Sequence, residues 1–111
     1  GNYINYCSLF RKSYYESVGG YDLNNRGYWE DYEHYLNLGR HGYYGKHIKD
    51  FLFHYRIRSN SATQSSFIMN NADAIKSYIV LKYPEIFPAE WIEKAKIILK
   101  DKDEDFMKER Y

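Results

Sequence analysis

The chain has 111 residues, enough for one small domain of ordinary size. Its 16 basic and 15 acidic side chains leave a formal net charge of +1, which argues against a nucleic-acid binder driven by phosphate neutralisation. A single cysteine, Cys7, excludes an internal disulfide and a cysteine zinc cage, and it fits a reducing compartment. Hydrophobic residues make up 44%, enough for a core, yet no run of about 18 apolar residues marks a membrane span. The 14 tyrosines, apolar rings with polar tips, point to a wide half-buried surface such as a cleft or an interface. No signal-peptide pattern opens the chain, and the absence of an initiator methionine fits a piece of something longer.

In chain order, Tyr3 to Phe10 is rich in aromatic and β-branched side chains and reads as a strand, with Cys7 as a small core residue within it. Arg11 to Val18 reads as a short helix, with Tyr14, Tyr15 and Val18 at helical spacing. Gly19 and Gly20 follow where a left-handed C-terminal cap belongs. Asp22 to Tyr28 holds Asn24, Asn25 and Gly27 and reads as a loop. Glu30 to His41 reads as a helix with Tyr32, Tyr35, Leu36 and Gly39 on one stripe, ended by Gly42. Tyr43 to Ile48 and Phe51 to Ile57 read as two strands around Lys49-Asp50. Arg58 to Ser66 is small and polar and reads as a mobile loop. Two helices follow. Ile68, Ala72, Ile75 and Ile79 mark the first; Trp91, Ile92, Ala95, Ile98 and Leu99 mark the second, after the turn from Tyr83 to Pro88. Residues 100–111 are charge-rich and read as solvated or fraying. The expected architecture is α+β, about three short strands with four helices, divided into residues 1–66 and a helical extension at 67–111.

Two constellations carry chemistry. Glu30 and Asp31 fall in the first turn of a helix, where negative charge meets the positive end of the dipole. Neighbours on a helix diverge by about 100°, so one carboxylate can face a cleft while the other caps or orients. Two surface acids that merely stabilise the dipole give the same pattern. Arg56 and Arg58, at i and i+2 on an extended segment, face the same side. With Ser59 and Ser61 they match a diphosphate, since guanidinium forks fit phosphate oxygens; solvated arginines at a strand end are the plain alternative. The four histidines, His34, His41, His47 and His54, lack metal-ligand spacing and read as structural. No dinucleotide, Walker-type or nucleophile-elbow motif is present.

The run from Cys7 to Asp22, with Val18-Gly19-Gly20-Tyr21-Asp22 at its end, resembles the second half of family 2 glycosyltransferases of the GT-A fold. Trp29-Glu30-Asp31, Gly42 and Tyr55-Arg56 follow in the family's order, and the likeness covers about residues 3–65. It implies a fragment of a GT-A α/β fold and an inverting transfer from a nucleotide-sugar to a hydroxyl of a glycan or lipid-linked acceptor, in cell-surface polysaccharide synthesis. By the same likeness Asp31 is the general base and Glu30 its partner. Gly19 and Gly20 form the floor near the donor sugar. Arg56, Arg58 and Ser61 lie where the diphosphate is closed over, and Trp29 and Tyr28 where the acceptor sits. Arg58 replaces the histidine often found two residues after the family's arginine, so it suits phosphate rather than metal. The family's metal-holding Asp-x-Asp is absent; Asp101-Lys102-Asp103 and Asp105 read as a solvated face. A divalent metal, Mg or Mn, is therefore expected in the whole enzyme, with its ligands mainly outside this chain and none expected within it. The expected partner is the missing N-terminal half of the same domain, and the expected setting is cytoplasmic, at the inner face of a membrane. The rival readings are a non-catalytic tyrosine-rich module that binds carbohydrate or protein, and a domain that pairs with its own copy.

Overall fold

A computed structural model describes residue 4 and residues 7–25, 29–61 and 66–102. Among the described residues there are four α-helices: α1 (Lys12–Ser17), α2 (Glu30–Arg40), α3 (Ser66–Lys82) and α4 (Ala89–Leu99). One 3-10 turn, Leu23–Asn25, lies between α1 and α2.

The glycines explain how the first two helices end. Gly19 N–H donates to the Glu16 carbonyl at 3.2 Å and Gly20 N–H to the Tyr15 carbonyl at 2.9 Å. This crossed pair is the Schellman motif, and it needs a left-handed residue after the cap; φ is +86° at Gly19 and +72° at Gly20. The same arrangement ends α2, where Gly42 N–H donates to the Gly39 carbonyl at 3.0 Å and Tyr43 N–H to Leu38 at 3.1 Å. The start of α2 is less relaxed. Trp29, its N-cap, has φ 57° and ψ 38°, a left-handed conformation that a bulky side chain adopts at a cost.

The core is helical. Ile68, Ile75, Ile79 and Tyr83 of α3 and its end are buried together, and Trp29, Tyr32 and Leu36 from α2 pack against them, as do Tyr78 and Phe87. α4 starts at the extended Pro88 and runs back along α3, burying Ala95. α1 buries no residue. It is held by rings: Tyr14 stacks on Tyr43 at 4.0 Å, and Tyr15 packs near Phe10 and Tyr21.

The expected α+β fold, and with it the GT-A fragment of three strands, is corrected: the described residues contain no strand and no sheet. Tyr43 to Ile48 and Phe51 to Ile57 carry no helix or strand. Apart from Tyr43, which stacks on Tyr14, their side chains face solvent, with Tyr44 88%, Phe51 106% and Ile57 83% exposed. β-propensity expresses the fit of a side chain to a pleated, half-buried surface, and no such surface faces these residues. Lys49-Asp50 also lacks the Asn-Gly or Gly-Gly character that closes a two-residue hairpin. Of the expected strand at 3–10, Tyr3, Asn5 and Tyr6 lie outside the described residues. Cys7 is exposed rather than part of a core. The stripe expected on α2 is also shifted. Its most buried residues are Glu33, His34, Asn37 and Leu38, while Tyr32 and Leu36 flank them. Residues 62–65 of the loop at 58–66, and 103–111 of the charged stretch at 100–111, fall outside the described residues. No described helix is long and apolar enough to cross a membrane.

The two glycines after α1 differ in a testable way. A Cβ built on Gly20 comes within 2.7 Å of the Tyr15 hydroxyl, whereas one on Gly19 meets nothing within 4 Å. Gly19→Ala should cost about 1 kcal/mol, the backbone term alone, and Gly20→Ala about 2–3 kcal/mol because Tyr15 must also move. Urea denaturation midpoints of the two variants measure the difference.

Candidate functional site

The acidic start of α2 holds Glu30, Asp31 and Glu33 in its first turn. Their directions differ because each residue advances the helix by about 100°. Glu33 is fully buried. Glu30 lies about 60° from it around the axis and Asp31 about 160°, so Asp31 points to nearly the opposite side. Glu30 and Asp31 are both half-buried.

Glu33 is anchored by α3 and the residue after it. Lys82 Nζ donates to Glu33 Oε1 at 2.8 Å, and the Tyr83 hydroxyl donates to the same oxygen. Lys82 also donates to Asp22 Oδ2 at 2.9 Å, and Tyr78 donates to that oxygen at 2.7 Å. The Asn24 N–H donates to Asp22 Oδ1 at 2.9 Å and closes the turn after the glycines. One ammonium thus joins the loop after α1, the start of α2 and the end of α3. Burial pushes the Asp22 carboxyl up, but the hydrogen bonds from Lys82, Tyr78 and Asn24 outweigh it and hold the pKa below the ordinary 3.8. Burial likewise pushes the Lys82 ammonium down, and Asp22 and Glu33 reverse that and raise it above 10.5. Tyr78 and Tyr83 are pushed well above the ordinary tyrosine range, by burial first and then by their carboxylate partners. Both phenols therefore stay protonated and act as donors. Glu33 accepts from two donors on one oxygen and is fully buried, which makes it an anchor.

The face of α2 that carries Glu33 is tied further by amide and guanidinium contacts. Asn37 Nδ2 donates to the Val18 carbonyl at 3.0 Å, joining α2 to the end of α1. Arg40 donates to Asn37 Oδ1 at 3.1 Å and to Glu85 at 3.2 Å, and its guanidinium lies 4.8 Å from the Tyr83 ring centre. His34 is fully buried among rings, with Tyr21 at 4.6 Å, Phe10 at 5.2 Å and Tyr15 at 5.4 Å between centres. Neither ring nitrogen has a well-formed hydrogen bond. Burial lowers the His34 pKa below 6.5, against weaker opposing pulls from Glu33 and the Gly20 backbone.

The remaining expected residues fall in two places. Gly20 is buried under Tyr15 and Gly19 is exposed, both at the turn that leads to Asp22. Trp29 sits at the head of α2, beside Glu30 and Asp31; Tyr28 lies outside the described residues. Arg56 and Arg58 are exposed and Ser61 is half-buried. No ion pair among the described residues joins either arginine to the carboxylates of α2. The structure therefore gathers the α2 residues but does not bring the arginines onto them. No group of three or more His, Cys, Asp or Glu among the described residues is placed to hold a metal ion. The clasp of Asp22, Glu33, Tyr78, Lys82 and Tyr83 was not evident from the sequence pattern. Its one visible signal was a buried-strength helix, α3, ending on Lys82 and Tyr83 instead of fading into polar residues.

No family model, curated protein or solved structure matches this chain.

Two outcomes test this arrangement. Lys82→Met should destabilise the chain by about 2–3 kcal/mol, because Glu33 and Asp22 are left without their cation. The figure is at the low end for buried pairs, since the Lys82 side chain keeps 34% of its exposure. Guanidinium titration of wild type and variant at pH 7 measures it. The second outcome concerns acid. Well above pH 6.5 His34 is neutral in both folded and unfolded chains, and its contribution is constant. As pH falls through 6.5 the unfolded chain takes up a proton that the folded one resists, so stability drops by up to about 1.4 kcal/mol per pH unit. His34→Phe should remove that share of the decline between pH 7 and 5.5, measured as thermal midpoint against pH.

Proposed function

We propose that this chain supplies the acceptor side of an inverting glycosyl transfer, with Asp31 as the general base. The observation that carries the reading is the placing of two carboxylates on nearly opposite sides of α2. Glu33 is spent on Lys82 and Tyr83 and fixes the helix, while Asp31, turned about 160° away, stays half-buried in the first turn. A base of this kind must be held rigidly yet remain within reach of a substrate hydroxyl. The order of the sequence motifs from Gly19 to Arg56 supports the same reading.

The chemistry follows from the groups. A sugar hydroxyl ionises far above neutral pH, so its oxygen attacks the anomeric carbon as Asp31 takes the proton. The bond to the nucleoside diphosphate breaks on the opposite face, and the diphosphate leaves with the electron pair, which inverts the centre. Arg56 and Arg58 neutralise the growing charge, with Ser61 beside them. Glu30 and Trp29 position the acceptor. The donor half of the site belongs to a nucleotide- and metal-holding partner that covers the exposed apolar side chains of residues 44–57, and the reaction runs on the cytoplasmic side of a membrane. A second reading, a tyrosine-rich binding module without turnover, draws on the same exposed rings, Tyr44 and Tyr55 among them.

Asp31→Asn separates the two. In the enzyme containing this chain, transfer from radiolabelled nucleotide-sugar to acceptor should fall about 100- to 10,000-fold with donor affinity retained. Unchanged turnover would refute the base assignment.

A further inference from the structure

A groove of about 590 Å³ runs between α3 and α4 and ends at the head of α2. It falls in the size range of small-molecule sites. Its origin is the packing of three helices. Ser77 and Val80 on α3 face Ala95 and Ile98 on α4, and Trp29 and Tyr32 stand at the α2 end. Val80, Ser77 and Ala95 are buried and make a floor, while Trp91 is half-exposed and stacks on Phe87 at 5.8 Å.

The polar groups decide what such a groove would hold. Two cations border it, Lys76 from α3 and Lys94 from α4, both exposed. Lys76 Nζ lies 5.7 Å from the centre of the Trp29 ring. The opposing charge is one carboxylate, Asp73, a turn before Lys76. Ser77 Oγ donates to the Asp73 carbonyl at 2.6 Å, so its proton is turned into the helix rather than into the groove. A neutral sugar is gripped by forked polar groups such as carboxylates and amides set at adjacent hydroxyls, and here one carboxylate alone fits that role. An apolar floor with two ammonium groups at its edge complements a hydrocarbon chain with an anionic head.

We infer that this groove binds an anionic amphiphile, a lipid phosphate whose chain lies between α3 and α4 and whose head meets Lys76 and Lys94. Its role as the lipid phosphate that carries the acceptor sugar rests on the glycosyl-transfer reading, since Trp29 borders the groove and caps the helix that carries Asp31. The binding itself does not.

The chain contains two tryptophans, and both border the groove, so intrinsic fluorescence reports on it directly. Titration with dodecyl phosphate below its micelle concentration should give a saturable blue shift. Lys76→Glu with Lys94→Glu, both on exposed side chains, should weaken binding at least ten-fold. Dodecyl maltoside, with a neutral sugar head, should bind at least ten-fold more weakly than the phosphate, and inorganic phosphate alone should give no shift. Absence of a saturable shift, equal affinity for the maltoside, or indifference to the double charge reversal would overturn the proposal. Asp31→Asn should bind dodecyl phosphate like wild type. A loss of transfer without loss of this binding, or the reverse, therefore tells the failure of one reading from the failure of the other.

Discussion

The two hydrogen bonds of the Lys82 ammonium hold the first part of the chain to the second. α1 buries nothing, and the segment between the helices carries little aliphatic surface, so apolar area alone does not locate them. Asp22 and Glu33 do. A buried ion pair gives little net stability, because desolvating the charges offsets most of their attraction. Its effect here is on alternatives. Sliding α2 by one turn along α3 would leave Glu33 and Lys82 apart in a buried setting, and the cost of unpaired buried charge excludes that packing. Tyr78 and Tyr83 strengthen the effect by giving the same two carboxylates fixed hydrogen-bond donors.

Aromatic rings take over where aliphatic side chains are scarce. Around His34 they form an enclosure whose burial lowers the imidazole pKa. At Tyr14 and Tyr43 they join α1 to the residue that closes the end of α2, and Ser17 adds a contact to the Tyr43 hydroxyl at 3.2 Å. A tyrosine suits this task because its ring packs while its hydroxyl remains solvated or bonded. The high tyrosine content is thus partly structural. That tempers its reading as a binding surface, which rests on Tyr44 and Tyr55 in the exposed segment.

Local signals were legible in the sequence and tertiary ones were not. Gly19-Gly20 and Gly42 specify helix ends through φ alone, so the ends of α1 and α2 follow from residue identity. The isoleucine spacing of α3 and the Trp91-to-Leu99 pattern of α4 likewise follow from a local period. The strands failed because a strand is completed by a neighbour, and β-branched and aromatic content says nothing about whether one is present. The buried face of α2 failed for a related reason. Hydrophobic spacing selected Tyr35 and Gly39, while the residues most buried include Glu33, His34 and Asn37, whose burial depends on partners 13 to 50 positions away. Of the candidate site, the position of Asp31 in the first turn of a helix was legible; the anchoring of the same helix by Glu33 was not.

The exposed stretch from Phe51 to Ile57 has a consequence for how the chain behaves in solution. Phe51, Leu52, Phe53, Tyr55 and Ile57 make a short, largely apolar run, with His54 within it and without a proline, the composition that stacks into cross-β assemblies. Lys49 and Asp50 precede it, Arg56 interrupts it and Arg58 follows. Charges in those positions oppose in-register stacking, since each added copy would bring like charges about 4.8 Å apart. Arg56 and Arg58 would thereby guard the chain against self-association whenever nothing else covers this face, a duty separate from any contact with phosphate.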